Sequence, residues 1–151
     1  MGKYISFLGG LALLFLSGCA NSIPDEEAIV GSWRTVAYEE NGEVYERDDS
    51  GSAPNWFDEI GMTFLRGGKG VVWMRGGKSR KEDGIVYVLD PGKNPKQITM
   101  TGDGVKKTVH AIYTLEGDTL RIALYSENQE KAPGSFSEES LAITDFQREN
   151  P

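Results

Sequence analysis

The chain has 151 residues, with 16 Lys and Arg against 23 Asp and Glu, one Cys, one His and 19 Gly. This length allows one domain, and a net charge of −7 argues against binding to phosphate backbones, which needs a basic surface. One Cys excludes an internal disulfide and a four-Cys zinc site, and one His excludes zinc centres built on several His. The sequence therefore predicts no metal, no cofactor and no nucleic-acid partner.

Residues 1–18 have the layout of a secretory signal peptide. Lys3 makes the start positive, and the uncharged segment 5–16 follows. As a helix this segment would span roughly 18 Å, which is too short for a hydrocarbon core of ~30 Å. The segment 16–19 (LSGC) then resembles the lipobox of bacterial lipoproteins. An ordinary secretory signal followed by an incidental Cys is the alternative.

The lipobox resemblance implies a lipid anchor at Cys19. In such lipoproteins the chain is cut before the Cys, whose sulfur carries a diacylglycerol and whose amine carries a further acyl chain such as palmitate. Two or more acyl chains hold a protein stably on a membrane. Ala20 follows Cys19 where lipoproteins of the inner membrane typically carry Asp. The resemblance thus implies the cell envelope, at the outer membrane and facing the periplasm.

The rest of the chain reads as a short tether followed by strand after strand. Residues 19–28 carry the expected lipid site and a polar tether with Pro24. The pair Asn41 and Gly42 is a strong hairpin signal, and residues 48–55 (DDSGSAPN) read as a loop. Residues 126–139 form a second long polar loop. The predicted strands are 32–40, 43–47, 62–66, 71–75, 81–90, 97–101, 107–115, 119–125 and 141–148.

These short strands at close spacing, without an amphipathic helix of ten or more residues, predict an all-β fold. Since nearly every gap has the length of a hairpin turn, an antiparallel up-and-down β-barrel of about eight strands fits best. A barrel of that size is filled by its own side chains or holds one small ligand. The predicted organisation is a signal peptide (1–18), the lipidated Cys and tether (19–28) and the barrel domain (29–149).

Several motifs of this barrel resemble a known family. Gly31 and Trp33 match the Gly-x-Trp signature of lipocalins, in which the Trp packs at the closed end of the barrel. The chain from 29 to 149 is similar to a lipocalin-like domain of unknown function that is abundant in Planctomycetes. This resemblance implies a lipocalin-like β-barrel without established catalytic residues or cofactor, with Trp33 on the barrel floor. The motifs that carry it are residues 87–91 (YVLDP), 93, 95, 96, 98, 101, 112–113, 116–120 (EGDTL), 136–137, 141 and 146.

Candidate catalytic features are weak in this sequence. His110 could belong to a hydrolase triad, but no Gly-x-Ser-x-Gly elbow accompanies it, and we expect a strand residue without a catalytic role. The adjacent carboxylates, such as Glu82 and Asp83, lack EF-hand spacing and point to opposite faces of a strand. The Gly-rich stretches 67–70 and 76–79 lack the spacing of a phosphate loop and favour hairpin turns. The sequence therefore predicts no enzyme.

The expected function is non-enzymatic binding in the cell envelope. Ligand pockets are largely apolar and aromatic, and the aromatic residues on the strands either fill the core or line the barrel mouth. A small apolar or amphipathic ligand in the barrel is the leading hypothesis, with no ligand-binding residues assigned. The alternative is a protein–protein interaction or scaffolding module of the envelope. A barrel cavity of ≈300 Å³ or more favours the first hypothesis, and an exposed apolar patch favours the second.

Overall fold

The computed structural model describes residues 23–46, 60–76, 79–126 and 129–150. The predicted signal peptide 1–18, Cys19, the predicted loop 48–55 and residues 56–59 lie outside them. Among the described residues, no helix is long and apolar enough to cross a membrane. The described elements are α1 (Asp25–Ala28), β1 (Gly31–Glu40), β2 (Glu43–Glu46), β3 (Ile60–Leu65), β4 (Lys69–Gly76), β5 (Ser79–Asp90), β6 (Gln97–Thr101), a 3₁₀ turn (Asp103–Val105), β7 (Val109–Glu116), β8 (Thr119–Tyr125) and β9 (Leu141–Arg148).

The strands form a closed antiparallel barrel of eight strands with β2 as an extra strand, which confirms the predicted fold class. From β3 to β9 each strand pairs with the next one along the chain, and β9 returns to pair with β1. The other edge of β1 is shared, because its first half pairs with β3 and its second half pairs with β2. A β-bulge between Thr35 and Ala37 interrupts the β1–β9 register.

The barrel has two distinct ends. We call one the closed end, where α1 and the turns β3–β4, β5–β6 and β7–β8 lie. We call the other the mouth, where the β1–β2 hairpin, residues 102–108 and the β8–β9 loop lie. The described chain begins with Ile23 beside α1, so it enters the fold at the closed end.

Large side chains fill the closed half of the barrel. Trp33, Phe64 and Tyr113 are fully buried there. The rings of Phe64 and Tyr87 meet edge to face, with their centroids 4.9 Å apart. Since alternate residues of a strand point inward, the inner face of each strand supplies one part of this core. Side chains therefore fill the interior of the closed half.

A second, smaller apolar cluster lies outside the barrel wall. The loop between β8 and β9 folds back so that Phe136 and Ala132 pack against the outward side chains of Ile112 and Ile143. The backbone N–H of His110 donates to the carbonyl oxygen of Gln129 at 3.1 Å. This loop, expected from sequence to be simply polar, thus covers part of the outer wall.

Two short elements depart from the sequence expectations. Residues 25–28, assigned to the tether, form the helical turn α1, and residues 103–105 form a 3₁₀ turn. Both are too short to produce a hydrophobic period in the sequence. Their side chains nevertheless contact the barrel at its two ends.

Candidate ligand-binding site

A cavity of about 240 Å³ lies inside the barrel on the side of the mouth. Most of its wall is apolar, and two polar side chains, Gln129 and Thr144, join it. The apolar part of the wall consists of Met62, Val72, Met100, Val105, Val109, Ile122, Leu124 and Phe146, together with Gly104. This arrangement is that of a small-molecule pocket, in which an apolar wall is combined with a few polar groups.

The cavity exists because the inward positions change in size along the barrel. The large rings of Trp33, Phe64 and Tyr113 lie in the closed half, whereas the cavity wall consists mainly of Val, Met, Ile and Leu side chains with one ring, Phe146. Methionine is unbranched and polarisable, so Met62 and Met100 can adapt to ligands of different shape. Met74 follows Val72 on the same face of β4 and is 52% exposed at the rim. The apolar wall therefore continues to the edge of the mouth.

Residues 102–108, which we call the mouth segment, fold against the inner wall and reduce the opening. Val105 packs on the barrel core and lines the cavity. A Cβ on Gly104 would lie 2.8 Å from the backbone oxygen of Asp83 and 3.2 Å from Cβ of Val72. Only glycine allows this close approach of the mouth segment to β4 and β5.

The polar side of the mouth comes from β1, β2 and β9. Thr144 lines the cavity and lies opposite Tyr38, so the Tyr38 side chain is on the inner face. Tyr38 in turn lies opposite Tyr45 on β2, and Glu40 lies opposite Glu43. We call these four side chains the hairpin face.

Hydrogen bonds order the hairpin face. The two tyrosine rings are stacked, with centroids 6.5 Å apart and planes at 27°. The Tyr45 hydroxyl donates to Oε2 of Glu43 at 2.6 Å. Burial, together with a hydrogen bond to Glu40, raises the pKa of Tyr38 to about 12, so this phenol stays protonated at neutral pH.

A separate polar cluster joins α1 to the closed end. The Asp25 carboxylate accepts hydrogen bonds from Nζ of Lys96 at 2.9 Å and from the Tyr113 hydroxyl at 2.6 Å. Burial alone would raise the pKa of Asp25, but the bonds from Tyr113 and Lys96 outweigh burial and lower it. Burial and the bond to Asp25 raise the pKa of Tyr113 far above its usual range. The Asp25 carboxylate thus accepts hydrogen bonds from both Lys96 and Tyr113. We call these three side chains the structural clamp, because they hold α1 on the closed end.

Trp33 lies next to this clamp, and the guanidinium of Arg148 stacks on its ring. The Arg148 guanidinium stacks 4.2 Å from the centre of the Trp33 ring and donates to the carbonyl oxygens of Val30, at 2.7 Å, and Ala28. The Trp33 indole N–H donates to the carbonyl oxygen of Ile29 at 2.8 Å. Arg148 also pairs with Asp118 at 3.0 Å. The residues that follow α1 are thereby fastened across the closed end.

A larger groove of about 700 Å³ lies on the outside of the closed end. Four of its charged groups already form two ion pairs, Asp25 with Lys96 and Asp118 with Arg148. The smaller mouth cavity is the better candidate for a ligand, because it lies between the inward side chains of the barrel and most of its wall is apolar.

The other residues singled out from sequence lie away from this cavity. Val109 and Ala111 point into the core, so His110 between them faces outward, where its Nδ1 is 3.3 Å from Oγ1 of Thr99. Glu82 pairs with Arg80, and Asp83 pairs with Lys81. Within the described ranges no group of three or more His, Cys, Asp or Glu is placed to hold a metal ion.

Sequence reasoning did not find the residues that line the cavity or close the barrel. Met62 and Met100 looked like ordinary strand residues, and nothing local marked Val105. Lys96 and Asp25 are 71 positions apart in the chain, and Arg148 is 118 positions from Val30. The one available signal was the Gly-Asp-Gly segment before Val105, since glycine next to a strand often marks a close backbone approach.

Comparison with known protein families, curated proteins and solved structures finds no match for this chain.

Proposed function

We propose that this protein is a lipid-anchored binding protein of the cell envelope, whose lipocalin-like barrel takes a small apolar or amphipathic molecule without catalysis. The observation that carries the proposal is the apolar cavity of about 240 Å³ at the mouth. In a barrel with a solid closed half, this is the space in which a ligand would lie. The outward position of His110 agrees with a binding role, since it separates the only imidazole from the cavity.

The size of the cavity limits the ligand. Drug-sized ligands occupy roughly 300–1,000 Å³, and the cavity of about 240 Å³ is below that range. It is therefore smaller than the cavity of ≈300 Å³ that was expected from sequence for a ligand carrier, and it accommodates only a small ligand or one part of a larger one. The bound part is therefore one ring system or one short chain, and any polar part of the ligand remains at the rim.

The entry of the chain at the closed end agrees with a lipid anchor at Cys19. The stretch from Cys19 to Pro24 can span at most about 18 Å. An acylated Cys19 would thus keep the closed end near the membrane, while the mouth points away from it. In this arrangement the cavity exchanges ligand with the aqueous space of the envelope.

A fluorescent probe tests the binding proposal. N-phenyl-1-naphthylamine is neutral and apolar, and we expect its emission to rise saturably with the wild-type protein. Leu124→Trp places a large ring at the rim of the cavity and should weaken binding at least about tenfold, or ~1.4 kcal/mol. Val88→Trp is the matched control, because Val88 is 65% exposed on β5 and does not line the cavity.

The outcome that contradicts the proposal is clear from the same titration. Absence of saturable binding to the wild type, or equal binding to both Trp variants, would exclude the mouth cavity as the site. Thermal unfolding of each variant shows whether the barrel is intact. This comparison separates loss of the cavity from loss of the fold.

An interaction module remains the second candidate, and one observation favours it. Val86 and Val88 are 55% and 65% exposed on the outer face of β5, and they form an apolar stripe. Native mass spectrometry of the delipidated protein from its host distinguishes the two candidates. A retained small molecule supports the binding barrel, whereas a retained protein that Val88→Glu releases supports the interaction module.

A further inference from the structure

The hairpin face places two aromatic rings and two carboxylates at the mouth, on the inner face of the strands next to the wall residue Thr144. Tyr38 is across from Thr144, which lines the cavity wall, so the hairpin face is continuous with that wall. Glu40 and Glu43 lie opposite each other on the same side of the hairpin. Within the described residues neither carboxylate forms an ion pair with Lys or Arg, and Glu43 accepts a hydrogen bond from the Tyr45 hydroxyl.

This combination of groups favours a cation. An aromatic ring attracts a positive charge that lies within ≈6 Å of its centre. Because the Tyr38 and Tyr45 centroids are 6.5 Å apart, a cation that lies over the face of one ring is also near the other ring. A hydroxyl that donates to a carboxylate makes its ring richer in electrons, which strengthens the attraction.

The surroundings add to this preference. The chain carries a formal charge of −7, so the field of the whole molecule attracts cations and repels anions. On the outer face of β1, Glu39 is paired with Arg121 at 3.9 Å. An anionic head group at the hairpin face would meet two carboxylates.

We propose that the ligand is a cationic amphiphile, with its apolar part in the mouth cavity and an amine or quaternary ammonium group at the hairpin face. The proposal rests on the proposed function, because it needs the apolar part to occupy that cavity. It adds the charge of the head group and the residues that recognise it. Glu40 and Glu43 supply the charge, and Tyr38 and Tyr45 supply the rings.

Calorimetric titration with three probes of equal chain length tests this assignment. We use octyltrimethylammonium, octanol and octanoate with the wild-type protein at low salt. The expected order of affinity is the cation, then the alcohol, then the carboxylate, with the cation at least about tenfold tighter than the carboxylate. Because exposed charges are screened by salt, raising the ionic strength should weaken binding of the cation and leave that of octanol unchanged.

Variants of β1 and β2 locate the charge preference. A double variant that carries both Glu40→Gln and Glu43→Gln should lose most of the preference for the cation. Its affinity for octanol should be unchanged. Tyr45→Leu should reduce binding of the cation severalfold. Glu39→Gln is the matched control, since Glu39 is next to Glu40 in sequence but lies on the outer face beside Arg121, and it should keep the preference.

Each result has a distinct meaning. If octanol binds but the cation binds no tighter than octanoate, the head-group assignment is overturned and the binding barrel stands. The assignment is also overturned if the double variant (Glu40→Gln with Glu43→Gln) and the control Glu39→Gln show the same preference for the cation. If none of the three probes nor N-phenyl-1-naphthylamine binds, the proposed function itself fails and this inference fails with it.

Discussion

Asp25 is the residue whose contribution to stability is easiest to isolate. Its carboxylate is 15% exposed and accepts bonds from Lys96 and Tyr113, which hold α1 on the closed end. We expect Asp25→Asn to lower the free energy of unfolding at pH 7 by about 1.5–3 kcal/mol, the usual contribution of hydrogen bonds to a charged group. Urea unfolding measures this difference, and Glu27→Gln, an exposed position of the same helix, is the control.

The pH dependence of that difference follows from the pKa of Asp25. The folded state lowers this pKa below its ordinary value of 3.8, so the stabilisation is present above that pH and is lost as the pH falls further. The gap in unfolding free energy between wild type and Asp25→Asn should therefore shrink below about pH 4. A gap that stays constant down to pH 2 would show that the carboxylate charge contributes nothing.

At the scale of elements, the mouth segment decides how open the cavity is. A Cβ on Gly104 would approach the Asp83 backbone oxygen at 2.8 Å, so Gly104→Ala must displace the segment from the wall. We expect a loss of about 1–3 kcal/mol in unfolding free energy. We also expect faster amide hydrogen exchange over residues 102–108, and a larger apparent affinity for bulkier apolar probes.

The control for Gly104→Ala is Gly84→Ala on the adjoining strand. A Cβ on Gly84 meets nothing within 4 Å, so this variant should behave like the wild type. If both variants exchange their amides at the same rate over residues 102–108, the mouth segment is not held by the close approach of Gly104.

Elements of the fold were predictable to different degrees. The strands and hairpin turns were predicted because alternating apolar residues and paired glycines are local signals. The turn at Asn41 and Gly42, both at positive φ, is the clearest case. By contrast, α1 and the 3₁₀ turn left no periodic trace. Their positions depend on Asp25 meeting Lys96 and on Val105 meeting the core, which are contacts between distant parts of the chain.

At the scale of the whole molecule, the proposed lipid anchor at Cys19 would hold the barrel at a membrane. We expect Cys19→Ala to move the protein from the membrane fraction to the soluble fraction, because acyl chains provide the stable attachment and the acidic surface is repelled by anionic head groups. Cell fractionation and mass measurement of the mature N-terminus check this result. Retention of the Cys19→Ala protein on membranes would contradict the lipoprotein proposal.

The sequence by itself determined the class of fold, since a dense series of short alternating strands joined by glycine turns has few solutions other than an antiparallel barrel. It also narrowed the possible kinds of site, because one His and one Cys exclude the common zinc centres and the acidic composition argues against binding to nucleic acid. Only the tertiary structure decided which inward positions are filled and which enclose a cavity. That outcome depends on side-chain volumes that meet across the barrel, such as Met62 and Met100 at the mouth against Trp33 and Phe64 at the closed end.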